Sequence, residues 1–270
     1  MQIAQKRIIL TGGSGGLGQL VAAEFLREGA ELTIMSRTWI GNNAVRARHV
    51  AVDLSTSAGI AEGSAIVARK EPDILVNMAG VQYFGPAEGQ SPDELYAGYM
   101  VNLVAPVSLC GACLSFMKRR NSGQIVNIGS VIGSIPLAHF AAYSSAKAGL
   151  RAYSEALRRE LADTKIAVTY IAPRAVRTGL LTPQIQKYAE ATGMSVDTPS
   201  GVSKMIVQAI RQRKKEIYIG FPERIFARLN ALFPRLVDMA VASGDRKAKR
   251  LFAAQDFPTR RNGGRSCAGE

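Results

Sequence analysis

A chain of 270 residues with 47% hydrophobic side chains is long and apolar enough for one substantial core. No repeat, low-complexity tract or flexible linker divides it. Three cysteines exclude a disulfide framework, and two histidines without a Cys/His/carboxylate cluster at ligand spacing give the expectation of no metal. The formal charge of +13 is concentrated late in the chain, where 14 Lys/Arg face 6 Asp/Glu from Arg211 onward, so it bears on partners more than on fold.

The first strand is expected at 7–11, too soon after Met1 to leave room for a signal peptide. It runs into Thr11-Gly12-Gly13-Ser14-Gly15-Gly16-Leu17-Gly18, and a helix at 16–28 follows, closed by Gly29. Glycines between strand and helix let the backbone turn tightly against a pyrophosphate, and the helix N-terminus offers free N–H groups. Gly12, Ser14, Gly16, Leu17 and Gly18 are therefore expected at a dinucleotide, and the lack of a Gly-Lys-Ser/Thr ending argues against a triphosphate loop. The second strand, 32–36, ends in Ser36-Arg37. A neutral side chain followed by a guanidinium suits a 2′-phosphate and favours NADP(H) over NAD(H), the alternative being a solvated loop charge.

Further strands are expected at 49–53, 74–79, 124–129, 166–172 and 217–220. Ser91-Pro92-Asp93-Glu94 opens a helix with a capping box and proline at its first position. The uncharged run 101–117 holds Asn102, Pro106 and Ser108, and is read as a buried helix and not a bilayer span. Cys110 and Cys113 have CxxC spacing but fall inside that run, so they are read as core residues of a protein in a reducing cytoplasm. Helices follow at 143–161 and from Thr198-Pro199. Continuously apolar strands alternating with helices indicate an α/β fold: a Rossmann-type doubly wound parallel sheet of about seven strands. Its ligand belongs at the switch point beside the first strand.

Tyr143 and Lys147 are one helical turn apart on a shared face. An ammonium there, with an oxidised nicotinamide nearby, favours the phenolate and makes Tyr143 a candidate general acid/base. In this context residues 5–220 resemble the short-chain dehydrogenase/reductase family. The TGxxxGxG turn is Thr11, Gly12, Gly16 and Gly18; Asp53-Leu54 match the acidic step after the third strand; Asn77-Met78-Ala79-Gly80 match NNAG. Asn102 matches the helix asparagine, Ser130 the strand-end serine, Tyr143 and Lys147 the YxxxK pair, and Pro173 and Thr178 the segment after the sixth strand.

The resemblance implies that Tyr143 exchanges a proton with the substrate oxygen and that Ser130 hydrogen-bonds the same oxygen. It implies that Lys147 binds the nicotinamide ribose and that Asn102 holds a relay water. Asp53, Leu54, Asn77, Ala79, Gly80, Pro173, Val176 and Thr178, together with Tyr143 and Lys147, are implied cofactor contacts. Two positions depart from the pattern: Met78 replaces an asparagine, and Arg174 replaces a glycine. Arg174 is expected to point to the surface, the alternative being a cation at the pocket rim.

Leu180, Leu181, Ile185, Tyr188 and Met194, with Leu137 and Phe140 opposite, are expected either to line an apolar pocket or to form the packed face of short helices. The preferred substrate is a hydrophobic carbonyl compound or secondary alcohol. A carrier-bound 3-oxoacyl thioester and a catalytically silent NADP-binding regulator are the alternatives. The division expected is a catalytic domain at 1–221 and a basic amphipathic helical tail at 222–270. Pro234 splits that tail into two short helices, and it is solvated and unstructured beyond Gly244. Its apolar stripe packs on protein or lies on an anionic membrane. The resemblance implies a homodimer or homotetramer, and no motif supports nucleic-acid binding.

Overall fold

The computed structural model describes residues 2–38 and 47–253. Seven strands form one sheet: β1 (Arg7–Thr11), β2 (Glu31–Ser36), β3 (Arg48–Ala51), β4 (Ile74–Asn77), β5 (Gly123–Ile128), β6 (Ile166–Pro173) and β9 (Glu216–Ile219). Their order is β3-β2-β1-β4-β5-β6-β9 and every pairing is parallel. The direction of winding reverses between β1 and β4, so a crevice opens at their carboxyl ends.

The continuous apolar strands divide their side chains between two helical layers, because successive residues point to opposite faces. Ile8 and Leu10 of β1, with Ile74 and Val76 of β4, meet α1 (Gly16–Arg27) and α7 (Pro199–Arg211) through Val21, Phe25, Ile206 and Ile210. Ile9, Leu75 and Ile125 face the other way, onto α2 (Ser57–Lys70), α4 (Ala105–Arg119) and α5 (Ala141–Glu160), where Leu109, Cys110, Cys113 and Leu157 are buried. Both cysteines are free and enclosed, and burial pushes the Cys110 thiol up to about 12, so neither is a reactive thiolate.

α3 (Pro92–Tyr99) carries the capping box read from the sequence: Ser91 Oγ accepts from the Glu94 N–H, and the Glu94 carboxylate accepts from the Ser91 N–H. It joins α4 through one wide turn, Met100–Val104, with π geometry. The combined helix Pro92–Arg119 is long and apolar enough to cross a bilayer, yet its apolar face is packed against the sheet. A two-residue ribbon of β7 (Ala175–Val176) and β8 (Val196–Asp197) flanks α6 (Pro183–Thr192).

The tail departs from expectation. α8 (Phe221–Leu232) is followed by α9 (Pro234–Ala253), which runs straight through the stretch expected to be unstructured beyond Gly244. Tertiary contact overrides its charged composition. Gly244 lies against Thr192 of α6, and Lys247 Nζ donates to the Ala191 carbonyl at 2.8 Å. The remaining expectation for the tail, at 254–270, lies outside the described residues.

Candidate functional site

The crevice at the switch point is a cavity of about 510 Å³. Its floor begins at the glycine turn after β1. Gly12 has φ +70°, and a Cβ there would stand 2.7 Å from the Ala79 Cα, so a side chain is excluded by both conformation and space. A Cβ on Gly18 would collide with the Gly12 carbonyl, which keeps the first turn of α1 tight against the loop. Thr11 is buried, and its hydroxyl accepts from the backbone N–H groups of Met78 and Ala79, each at 3.0 Å. That contact holds the segment after β4 beside the turn. Met78 meets it through the backbone, while its half-buried side chain packs against the core and also borders the cavity.

Gly12, Ser14, Gly16, Leu17, Gly18, Ser36, Arg37, Asp53, Leu54, Ala79, Gly80, Tyr143, Lys147, Pro173, Val176 and Thr178 all line this cavity. Asn77 is not among its lining residues. Its amide points into the core and donates to Asn127 Oδ1 at 2.8 Å, beside Cys110. Beside the end of β2, Ser36 Oγ donates to the Thr38 carbonyl at 3.0 Å and lies 3.1 Å from His49 Nε2, a neighbour that sequence reading missed. Asp53 is held below the usual carboxylate range by hydrogen bonds from the Ser55 hydroxyl and backbone, with a smaller contribution from Arg37.

At the other end, α5 presents Tyr143 and Lys147 to the same space, and Lys147 Nζ stands 5.8 Å from the Tyr143 ring centre. Ser130 stands two residues past β5, where it caps a short helical turn and accepts from the Ile132 N–H at 3.2 Å, with its hydroxyl facing Tyr143. Burial pushes the Tyr143 phenol up to about 12, opposed by Ser130, and pushes Lys147 down to about 8. The sequence suggested a phenol lowered by an ammonium together with an oxidised nicotinamide. Within the protein's own groups desolvation of both outweighs that attraction. Lys147 Nζ donates to the Ile128 carbonyl at 3.0 Å.

Asn102 lies within the π turn. Its amide nitrogen donates to the Val81 and Gly98 carbonyls at 2.6 and 2.9 Å, while its Oδ1 is buried without a partner. Both that oxygen and Lys147 Nζ border Gly80. Asn102 lines a second cavity of about 210 Å³, which also touches Tyr143.

The far wall is apolar. Leu180, Leu181, Ile185 and Met194 line the main cavity opposite Phe140 and Ile132. Leu137 and Tyr188 do not line it. They belong to the cluster beneath, where Tyr188 packs on Phe84, 5.3 Å between ring centres, an aromatic unmarked in the sequence reading. Arg174 does not point to the surface as expected. It lines the cavity wall and is neutralised there, donating to both oxygens of Asp197 at 2.9 and 2.7 Å and to Glu223 at 3.2 Å. These carboxylates, Asp197 foremost, hold the guanidinium above its already high range.

The glycine turn and the Tyr–Lys–Ser group thus border one cavity at the switch point, where a nucleotide is expected in sheets of this topology. Comparison with known proteins agrees. The family model described as short chain dehydrogenase matches residues 6–189. A ketoacyl reductase, HetN, of Nostoc sp. is 30% identical over 95% of this chain and 92% of its own. Dehydrogenase/reductase SDR family member 7B of Danio rerio is 30% identical over 91% and 87%. Among solved structures, a short-chain dehydrogenase from Streptomyces avermitilis superposes with TM-score 0.73 at 26% identity, covering 90% of this chain and 98% of that one. One from Burkholderia cenocepacia, in complex with NADP, superposes with TM-score 0.75 at 21% identity, covering 89% and 99%. With the turn after β1, the serine just past β5 and the tyrosine and lysine of α5 gathered at one crevice, the chain belongs to the short-chain dehydrogenase/reductase family of oxidoreductases.

Proposed function

We propose that the protein is an NADP-dependent oxidoreductase that interconverts a hydrophobic carbonyl compound and its alcohol, with Tyr143 as the proton donor and acceptor. The observation that carries this reading is the convergence of Tyr143, Ser130 and Lys147 on the wall of a cavity whose other end is the glycine cradle. The turn from Gly12 to Gly18 would hold a pyrophosphate, with Asp53 and Leu54 at the adenine and Lys147 at the nicotinamide ribose. Val176 and Thr178 would stand beside the carboxamide. Arg37 lines the cavity next to Ser36, where a 2′-phosphate would find a cation and no competing carboxylate within the β2 end. When bound, the nicotinamide supplies or accepts the hydride and, when oxidised, adds a positive charge that favours the phenolate.

The residues of this chain do the rest. Ser130 holds the substrate oxygen and steadies charge that develops on it. Tyr143 passes its proton to that oxygen in reduction and removes it in oxidation. Lys147, lowered to about 8 by burial, is close enough to neutral that it can exchange a proton near physiological pH. The orphan Asn102 Oδ1 offers a fixed acceptor for a water in the second cavity, connecting Lys147 to solvent. Leu180, Leu181, Ile185 and Met194 exclude water from the reacting carbon and select an apolar substrate. A homo-oligomer fits this reading, as the sequence resemblance implies.

A second reading, a 3-oxoacyl thioester presented by an acidic carrier, is favoured by the name of the Nostoc relative and by the basic charge of the chain. A panel of ketones, aldehydes and carrier-bound 3-oxoacyl substrates, followed by NADPH and NADH consumption, separates the two. Turnover of a free hydrophobic carbonyl with NADPH is expected. Arg37→Ala should raise the KM for NADPH by about tenfold or more and leave that for NADH nearly unchanged, because only one carries the 2′-phosphate. Equal use of both cofactors by the wild type would overturn the NADP assignment.

A further inference from the structure

Eight large apolar side chains between residues 221 and 239 are exposed, more than on all the rest of the described surface together. On α8, Phe221, Ile225, Leu229 and Leu232 form one stripe at helical spacing, and Phe233, Leu236 and Met239 continue it around the break at Pro234. Arg224 and Arg228 occupy the adjoining row of α8, and Arg235 stands at the start of α9, all exposed. Glu223, the one acidic residue of α8, is already engaged by Arg174.

This face is not loosely attached. Ala227 and Val237 are buried against Val131 and Ile135, and Asn230 Nδ2 donates to the Ser134 carbonyl at 2.9 Å. The segment so clamped, 131–135, follows Ser130 directly. α8 also leaves the sheet at the carboxyl end of β9, the end at which the cavity opens, and α9 lies on α6.

We propose that the exposed face of α8 and the first turns of α9 dock on an anionic lipid bilayer, bringing the apolar mouth of the cavity to the membrane surface. The charges decide between occupants. A second copy of the chain related by a two-fold axis would set this patch against itself. That would bring Arg224, Arg228 and Arg235 towards their own counterparts, with only Asp238 nearby to offset them. A bilayer containing acidic lipids offers phosphates to every guanidinium and acyl chains to every leucine and phenylalanine. The consequence, which rests on the carbonyl-reducing reading above, is that the substrates are carbonyl compounds dissolved in the bilayer.

Flotation of the full-length protein with phosphatidylcholine–phosphatidylglycerol vesicles, and with phosphatidylcholine alone, tests the surface. The protein is expected to float with the acidic vesicles and to be released by high salt. Leu232→Glu with Leu236→Glu, and separately Arg224→Ala with Arg228→Ala, should each weaken partitioning by about tenfold or more without changing the circular dichroism spectrum. Wild-type protein that stays at the bottom of the gradient, or variants that float like it, would overturn the proposal. So would a Leu232→Glu/Leu236→Glu variant that halves the sedimenting mass, because a second copy would then own the face. Flotation needs no turnover: protein that floats but reduces no vesicle-borne ketone overturns the enzymatic reading and leaves the membrane surface standing.

Discussion

Lys147 is an amine almost wholly removed from water, with a backbone carbonyl as its hydrogen-bond acceptor and, among the described residues, no carboxylate in an ion pair. A charge in that position opposes folding. Because its folded-state value is lowered from 10.5 to about 8, the unfolded chain binds the proton more strongly, and the penalty is fully present below pH 8. It fades as pH rises from 8 to 10.5 and amounts to about 3 kcal/mol at its largest. Lys147→Met should therefore abolish turnover yet unfold at higher denaturant than the wild type at pH 7, with that advantage shrinking by pH 10. Denaturant titrations at both pH values measure it, and an advantage independent of pH would show that Lys147 is not a strained charge. At this scale the sequence was informative about identity and blind to environment. Ser130, Tyr143 and Lys147 could be named from spacing and resemblance. That burial would drive phenol and amine both toward neutrality, that Asn77 would serve the core, and that Arg174 would find two carboxylates depends on neighbours 23 to 50 residues away.

The same asymmetry holds for the elements. The strands were legible because a parallel sheet covered on both faces demands unbroken apolar runs, and β1 begins and ends where its pattern does. α2 was not, because Gly59 and Gly63 weaken its helical signal. Their reason is tertiary: a Cβ on Gly59 would fall on the Asp53 carbonyl, and Gly63 lies against Met35 and Leu109. The π turn that presents Asn102 has no propensity signature either. It is a local widening that redirects one amide to the carbonyls of Val81 and Gly98.

Arg174 links three elements, since it follows β6 and holds Asp197 of β8 and Glu223 of α8. Arg174→Ala leaves two half-buried carboxylates without their cation and should cost about 1–3 kcal/mol. Because Glu223 sits in the first turn of α8, amide hydrogen exchange should accelerate there more than in α1 or α5. Uniform exchange across the three helices would mean that α8 is held by its apolar contacts alone.

Across the whole molecule, a parallel sheet and its switch point fix where a ligand can sit, and one cavity there has the glycine turn at one end and Tyr143, Lys147 and Ser130 at the other. The C-terminal helices add a second surface beside the same opening. Composition made them look half unstructured, whereas packing on α6 and on residues 131–135 orders them through Ala253. In the proposed reaction the Tyr143 hydroxyl exchanges a proton with the substrate next to bound nicotinamide. Tyr143→Phe removes one oxygen from a cavity wall and leaves the glycine cradle intact. Measured side by side, the variant should bind NADPH like the wild type by fluorescence titration, while its kcat for carbonyl reduction falls by about 10²–10⁴. A variant that binds NADPH and turns over at the wild-type rate would contradict the account.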